Sequence, residues 1–403
     1  QAGRMRAERG DLPAAIGHFE RSIRLWEQTD DQATAAASLC RIGRVLTELG
    51  HYDAAMYSLL RANDRQETLG DDVGRAESLF RLGVLYAARG AYPDALAHYD
   101  LSEALWLEAR NLHGLTALLQ ARGRIFGQQG DLRAARECLE RSFELADGLE
   151  DDRLKASALH QLGLMAADSG DYSTSMDFYR RSLTLKRSAG DLRGMAVTLH
   201  AMAQLEVAQG RGPEARRYYA RVLEIATGLG AVRVAAATLR GLGDVETADG
   251  QLEAALQAYL EAERLQAALG EKRELAAIQL GLGTVYAERG EHQTALQRLR
   301  RALEIVRELQ DLRQIAAVQY QLGAVLAEAG QDEEASACLQ ESLTIDDGLG
   351  NIRGTALTLA MLGQLLDARG RLPQSRAMFQ EALRRMEALN MPEAETVRSW
   401  LAG

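Results

Sequence analysis

Glycine recurs along this chain at a fixed interval of forty residues, without an insertion or a deletion. The positions are Gly10, Gly50, Gly90, Gly130, Gly170, Gly210, Gly250, Gly290, Gly330 and Gly370. A strict period of this length is typical of proteins in which one supersecondary element is repeated. Because such an array grows in one dimension, the 403-residue length does not by itself predict several globular domains.

Each forty-residue unit is predicted to form two helices. In the first complete unit, apolar residues such as Leu39, Ile42 and Leu46 recur at helical spacing and do not alternate as in a strand. Gly50 is expected to end this helix, because glycine readily takes positive φ. The second helix is predicted from about residue 53 to residue 69.

Proline and aspartate mark the same helix starts. Four prolines lie at multiples of forty residues from one another in the first turn of second helices, and a fifth lies where another first helix should begin: Pro13, Pro93, Pro213, Pro373 and Pro392. A first-turn residue needs no N–H partner, so proline is tolerated there. Asp11, Asp131 and Asp171 precede second helices and are predicted N-caps.

A second glycine series lies inside the first helices. It comprises Gly3, Gly43, Gly83, Gly123, Gly163, Gly243, Gly283, Gly323 and Gly363, with alanine at 203. A glycine inside a helix costs about 1 kcal/mol relative to alanine. Its repetition predicts that the paired helix approaches too closely for a side chain. Small residues in the second helices agree: Ala15, Ala55, Ala95, Ala135, Ser175, Ala215, Ala255, Ala295, Ala335 and Ser375.

The combined pattern resembles the tetratricopeptide repeat. In one unit it is carried by Leu79, Leu82, Gly83, Tyr86, Gly90, Tyr92, Ala95, Tyr99 and Ser102. The resemblance implies an all-α superhelical solenoid of antiparallel helix pairs, with the first helices lining the concave side. The forty-residue period exceeds the usual length of about 34 and is similar to that of Pins/LGN proteins, kinesin light chains and the C-terminal arrays of bacterial AfsR/MalT-type signal-transduction ATPase regulators. The arginine-rich composition favours the bacterial group.

The period also predicts the domain boundaries. Residues 1–31 are expected to form a partial repeat, residues 32–391 nine helix pairs, and residues 392–403 a partial or capping helix. Because Gln1 is already in phase with the repeat, we expect further sequence upstream. Trp400 and Leu401 would leave apolar surface uncovered unless they fold back or meet another chain, which makes self-association through the solenoid ends an expectation.

The predicted partner-binding surface is the free face of the first helices, which the resemblance places in the groove. Its residues are Arg41, Arg44, Phe80, Arg81, Arg124, His160, His200, Gln204, Arg240, Asp244 and Tyr320. The early groove leans basic and the later groove leans acidic, so a segment of opposite polarity would fit. The alternative is a solvated face with incidental charges. Phe80 and Tyr320 are predicted aromatic anchors.

Two pairs of polar residues leave alternatives open. His160 and His200 lie one repeat apart, and a helix spacing of roughly 10 Å is too large for shared metal ligation. A surface or partner contact is therefore expected. Gln279 and Gln319 replace the leucine found in other units. Either a register shift covers them, or they form a polar pocket.

An arginine series stands at the start of first helices: Arg153, Arg193, Arg233, Arg273, Arg313 and Arg353. A cation at this end of a helix opposes the helix dipole. Neighbouring acids such as Asp151, Asp191, Glu271 and Asp311 could staple these arginines. The alternative is an edge that attracts anions.

Composition excludes several classes of function. The formal net charge of −10 argues against a nucleic-acid partner, and no apolar run is long enough to span a membrane. Cys40, Cys138 and Cys338 are odd in number and far apart, which fits a reducing cytoplasm and no disulfide framework. The chain has no phosphate-binding loop, no H-E-x-x-H and no C-x-x-C motif, so we expect no enzyme activity, cofactor or metal.

The predicted function is therefore a non-catalytic scaffold that binds a protein or peptide segment in the concave groove. The alternative is the sensor or regulatory half of a larger bacterial signal-transduction ATPase or transcriptional regulator, which binds an effector or mediates oligomerisation.

Overall fold

The computed structural model describes residues 17–18, 21, 25, 31–48, 50–267, 269, 271–389 and 391–402. It gives the bounds of 19 helices in this part of the chain, where no strand is present. In order they are α1 Gln32–Glu48, α2 Tyr52–Leu69, α3 Asp72–Ala88, α4 Tyr92–Glu108, α5 Leu112–Gln128, α6 Leu132–Gly148, α7 Asp152–Asp168, α8 Tyr172–Ser188, α9 Leu192–Ala208, α10 Gly212–Leu229, α11 Val232–Ala248, α12 Leu252–Ala267, α13 Lys272–Glu288, α14 His292–Glu308, α15 Leu312–Glu328, α16 Asp332–Gly348, α17 Ile352–Ala368, α18 Leu372–Ala388 and α19 Ala394–Ala402.

The predicted all-α fold of antiparallel helix pairs is confirmed. The chain divides into two compact units, residues 1–234 and residues 235–403. The first helices from α1 to α9 and from α13 to α17 each pack mainly against the second helix that follows. Apart from residues 17–18, 21, 25 and 31, the predicted partial repeat at residues 1–31 lies outside the described residues.

The helix ends follow the predicted residues. Nine of the periodic glycines, from Gly50 to Gly370, have positive φ between 67° and 83°, whereas Gly10 lies outside the described residues. The side chains of Asp131 and Asp171 accept hydrogen bonds from backbone N–H groups three residues later, at 3.0 and 3.1 Å. Both predicted caps are therefore confirmed. Asp11 is outside the described residues.

The glycine series inside the first helices marks a close helix approach, as predicted. A Cβ atom added at Gly123 would lie 2.8 Å from Leu139 Cγ and 3.2 Å from the carbonyl oxygen of Ala135. At Gly163 it would lie 2.5 Å from Tyr179 Cε1. The small residue of the second helix thus contributes its backbone, and the large side chain four residues later fills the space over the glycine.

The first helices lie on the inner side of each unit. In residues 1–234, α1, α3, α5 and α7 each contact the next first helix of the series. In residues 235–403, α13 contacts α15, and α15 contacts α17. Among the described residues, successive second helices make no contact of comparable extent. Because the first helices are closer together than the second helices, the free face of the first helices is the inner face.

Helix α5 offers a test of the close approach. Gly123→Ala should lower the free energy of unfolding by about 1–2 kcal/mol, because the new methyl group overpacks against Leu139 and Ala135. Gly127→Ala is the matched control in the same helix, since no described atom lies within 4 Å of its added Cβ. It should be neutral or stabilising by up to about 1 kcal/mol. Urea unfolding followed by circular dichroism measures both, and equal effects would contradict the packing role.

Candidate functional site

The predicted site residues fall into buried and accessible groups. On the inner face of residues 1–234, Arg41, Arg124 and Gln204 are exposed, Arg44, Arg81 and His200 are half-buried, and Phe80 and His160 are buried. In residues 235–403, Asp244 is exposed, and Arg240 and Tyr320 are half-buried.

A cleft of about 250 Å³ lies between α1 and α3 on the inner face, and the end of α2 contributes to it. Its lining residues are Ala37, Cys40, Arg41, Arg44, Gln66, Asp71, Gly74, Glu77 and Arg81. The structure thus brings together three of the predicted arginines, which come from two neighbouring repeats.

The three arginines of the cleft differ in their pairing. Arg44 donates to Glu48 at 3.0 Å, and Arg81 donates to Glu77 at 2.7 Å, each along its own helix. Arg41 has no hydrogen bond or ion pair with any residue that the structure describes. Exposed pairs of this kind contribute at most about 1 kcal/mol. The guanidinium groups can therefore turn to an incoming anion at small cost.

Phe80 is not an exposed anchor, and that prediction is wrong. Its side chain is 5% exposed, and its ring centroid lies 5.6 Å from Tyr99 and 5.4 Å from Trp106. The guanidinium carbon of Arg81 lies 5.1 Å from the centre of the Phe80 ring. Phe80 is thus a core residue that supports Arg81 from below through a cation–π contact.

His160 is also buried, which corrects the prediction that it contacts a partner. It is 7% exposed and packs 5.5 Å from the Tyr179 ring. Its Nδ1 atom lies 3.4 Å from Thr198 Oγ1, which accepts a hydrogen bond from Lys186 Nζ at 2.7 Å. Burial and the neighbouring Lys186 charge lower the pKa of His160 to about 4, and burial lowers the pKa of Lys186 to about 8. His160 is therefore neutral at pH 7.

His200 does not join His160 in a polar site. Its ring packs edge-on against Tyr219, with the ring centres 5.3 Å apart. Within the described ranges, no group of three or more His, Cys, Asp or Glu side chains has the arrangement needed to hold a metal ion.

The inner face of residues 235–403 carries a closed ion-pair network. Arg240 donates to Glu274 at 2.7 Å and to Asp244 at 2.9 Å. Tyr259 donates its hydroxyl proton to Asp244 at 2.6 Å, and burial together with this carboxylate raises the pKa of Tyr259. Tyr320 packs against the core of its unit, and burial raises its pKa as well. The charge of Arg240 is thus matched within the protein.

Gln279 and Gln319 are buried and have charged hydrogen-bond partners, which favours the second of the two alternatives. Gln279 is fully buried, donates to Glu263 at 2.6 Å and accepts from Arg298 at 3.2 Å. Gln319 is 3% exposed and donates to Glu341. The charged partners lie on second helices.

Some arginines of the series at the helix starts form ion pairs with acidic residues. Arg273 pairs with Asp311 at 3.4 Å, and Arg353 pairs with Glu393 at 3.5 Å. Arg153 forms no ion pair within the described part of the chain. The stapling hypothesis is confirmed for the two paired arginines.

A further set of contacts was missed at the sequence level. In four repeats, a bulky or polar residue in the last turn of the second helix packs against a glycine of the next first helix. The pairs are Gln66 with Gly74, Trp106 with Gly114, Lys186 with Gly194, and Asp346 with Gly354. The signal was present, because the glycine always follows eight residues after the large side chain.

The sequence matches a known repeat along most of its length. The tetratricopeptide repeat model matches residues 1–68, 114–188, 194–268, 234–308 and 314–388. No curated protein matches the sequence. None of the described helices is both long and apolar enough to cross a membrane.

Several solved structures share the fold. Aspartyl phosphate phosphatase F from Bacillus subtilis matches with a TM-score of 0.59 at 13% identity, over 89% of this chain and 94% of that one. The quorum sensor NprR from B. thuringiensis matches with a TM-score of 0.53 at 14% identity, over 84% and 98%. A Signal Transduction ATPase with Numerous Domains from Pyrococcus horikoshii, which has a tetratricopeptide repeat sensor, gives 0.59 at 14% identity over 80% and 51%. At these identities the likeness shows the fold alone.

The buried imidazole predicts a pH dependence of stability. Between pH 6.5 and pH 4 the unfolded chain binds a proton at His160 that the folded chain does not, so stability is lost as the pH falls through this window. His160→Gln should remove this loss, which is at most about 3 kcal/mol. Glutamine already occupies the equivalent buried position at Gln120.

The measurement is the urea midpoint of the parent chain and the variant from pH 7 to pH 4.5. His113→Gln is the control, because the His113 side chain is 63% exposed. If His160→Gln and His113→Gln show the same pH dependence, the buried neutral form of His160 is ruled out.

Proposed function

Because the chain belongs to the tetratricopeptide repeat family, we propose that it is a non-catalytic scaffold that binds a protein or peptide segment along the inner face of its first helices. The observation that carries this proposal is the cleft between α1 and α3. It gathers Arg41, Arg44 and Arg81 at the accessible surface of two adjacent first helices. The absence of catalysis and a cytoplasmic location are parts of the same proposal.

The division between constant and variable positions supports the inner face. Positions such as Gly123 and Ala135 recur in nearly every repeat because the helix pair closes over them. Positions on the free face of the first helices change from one repeat to the next, as Arg44, Arg124 and Gln204 illustrate. Variation at exposed positions on a rigid frame is what a specific recognition surface requires.

The two units offer different chemistry to a partner. In residues 1–234, Arg41 and Arg124 have no partner among the described residues, so this inner face suits an acidic segment. In residues 235–403, Arg240 is engaged by Glu274 and Asp244, so a segment there meets an arginine whose charge is already matched. We propose that nine helix pairs occupy residues 32–391, flanked by a partial repeat at residues 1–31 and a partial or capping helix at residues 392–403.

A second candidate is a sensor array within a larger regulator. It is supported by the structural match to the Pyrococcus horikoshii protein, in which the matched part covers 51% of the chain and a repeat array is described as the sensor. In that case the inner face would bind an effector of the regulator. The sequence of the complete gene tests this candidate, because an ATPase or DNA-binding region in the same reading frame would support it and a gene without one would contradict it.

Selection from a random peptide library displayed on phage tests the scaffold proposal. Selected peptides should bind the parent chain, and the Arg44→Ala/Arg124→Ala variant should weaken the binding of peptides held by residues 1–234 at least about tenfold, equivalent to about 1.4 kcal/mol. Arg240→Ala should do the same for peptides held by residues 235–403.

The matched control is Arg133→Ala/Arg141→Ala, which removes two exposed charges from the second helix α6. Equal binding by the inner-face and control variants would place the site elsewhere. A library that yields no binding peptide would contradict the scaffold proposal as a whole.

A further inference from the structure

We infer that the cleft between α1 and α3 recognises an aspartate or glutamate side chain within the bound segment. This inference rests on the proposed function and names the chemistry of one subsite on the inner face.

The three arginines of the cleft have N–H donors available for an incoming carboxylate. Arg41 is exposed and unpaired within the described residues, and Arg44 and Arg81 are bound only to carboxylates one helical turn away. Each guanidinium has five N–H donors in a planar fork, so a single carboxylate does not satisfy it. A carboxylate that enters the cleft can therefore accept from Arg41 while the other two arginines keep their present partners.

The second support is Gln66, whose side chain lines the cleft although the residue is only 2% exposed. Ser78 Oγ donates to Gln66 Oε1 at 2.6 Å, which fixes the orientation of the amide. The Gln66 Nε2 group then has no hydrogen-bond partner in the described part of the chain. Because Gln66 lines the cleft, this amide can donate to a carboxylate oxygen that enters it.

Access to the amide depends on Gly74. A Cβ atom at this position would lie 2.8 Å from Gln66 Nε2 and would also collide with the Asp71 carboxylate. Because Asp71 accepts from the Gly74 N–H at 2.9 Å, it caps α3 and stays at the cleft wall. Glycine at position 74 thus leaves room for the amide beside the cap.

The third support is the charge balance of the lining. Arg41, Arg44 and Arg81 face the cleft together with Asp71 and Glu77. The lining therefore carries three positive and two negative side chains, which favours an anionic group. The cleft volume of about 250 Å³ suits a single side chain.

The fourth support comes from the corresponding place between α7 and α9. There Lys186 stands in place of Gln66 and donates to Thr198, which corresponds to Ser78. The positions of Arg41, Arg44 and Arg81 are taken by Gln161, Leu164 and Ala201. The same frame therefore carries a cation in its interior and no arginine cluster above it. The arginines are not a requirement of the repeat.

The inner face offers places for more than one carboxylate, which suits the side chains of an acidic segment. Arg124 is a second exposed arginine without a partner among the described residues, and it lies on α5, the next first helix after α3. One terminal carboxylate could meet only one of these two places. A segment with several acidic side chains can meet Arg41 in the cleft and Arg124 beyond it.

Fluorescence anisotropy with two labelled peptides tests the inference on the full chain. One probe is an N-terminally labelled octaglutamate with an amidated C terminus, and the other is a labelled octaglutamine with a free C terminus. Octaglutamate amide should bind more tightly than octaglutamine. Arg41→Ala should weaken its binding about fivefold or more, and Arg133→Ala, an equal charge loss on exposed α6, should change it less than about twofold.

Gln66→Met/Ser78→Ala isolates the amide, because it removes the donor without changing the net charge. It should weaken octaglutamate binding about fivefold, whereas Ser78→Ala alone, which removes the same internal hydrogen bond and keeps the amide, should change it less than about twofold. Circular dichroism melting of each variant shows that the fold is retained.

Four results would overturn the inference: no binding of octaglutamate amide, equal effects of Arg41→Ala and Arg133→Ala, equal effects of the double variant and Ser78→Ala, or equal binding of the free-acid octaglutamine. These results leave the scaffold proposal intact if library-selected peptides without acidic residues still depend on Arg44 and Arg124. The two proposals can therefore fail separately.

Discussion

The fold depends on one contact, made between a glycine inside the first helix and a large side chain of the second helix. At Gly163 the space that a side chain would occupy is taken by the Tyr179 ring, and at Gly123 it is taken by Leu139. The helix loses intrinsic stability at each such glycine, and the close packing of the pair offsets the loss. Because nearly every repeat meets this condition in the same way, with Ala203 as the exception, the relative position of its two helices is fixed, and the next repeat stacks on a standard surface.

A standard frame leaves the remaining positions free to differ, and the differences concentrate in two places. One is the polar joint between the second helix and the next first helix, where Gln66 meets Ser78 and Lys186 meets Thr198. The other is the inner face directly above that joint. In the first described repeats the joint holds a neutral amide below a group of arginines, whereas around Lys186 the cation is inside and the surface above it has none. The same backbone arrangement thus places the positive charge on the surface in one repeat and in the interior in another.

Much of the fold could be predicted because periodicity and helix-end chemistry are local properties. The caps at Asp131 and Asp171 required no knowledge of neighbouring repeats. The site was predicted less well, because exposure on the inner face depends on what the next helix supplies. Arg41, Arg44 and Arg81 do meet in one cleft. Phe80 and His160 occupy equivalent positions in their repeats, but both side chains are buried. Phe80 packs against Trp106, and His160 lies beside Lys186. The sequence pattern within one repeat does not show which of these side chains a neighbouring helix will bury.

The packing of Gln66 against Gly74 has a consequence for how arrays of this kind can be rearranged. The two residues belong to consecutive helix pairs, so a recombination point in the loop between α2 and α3 would separate them. A transplanted pair that begins with a bulkier residue at position 74 would collide with the inherited glutamine. A segment that can be exchanged without this collision should therefore begin and end inside a helix pair, for example in the turn at Gly50. It should not begin or end in the loops that connect consecutive pairs.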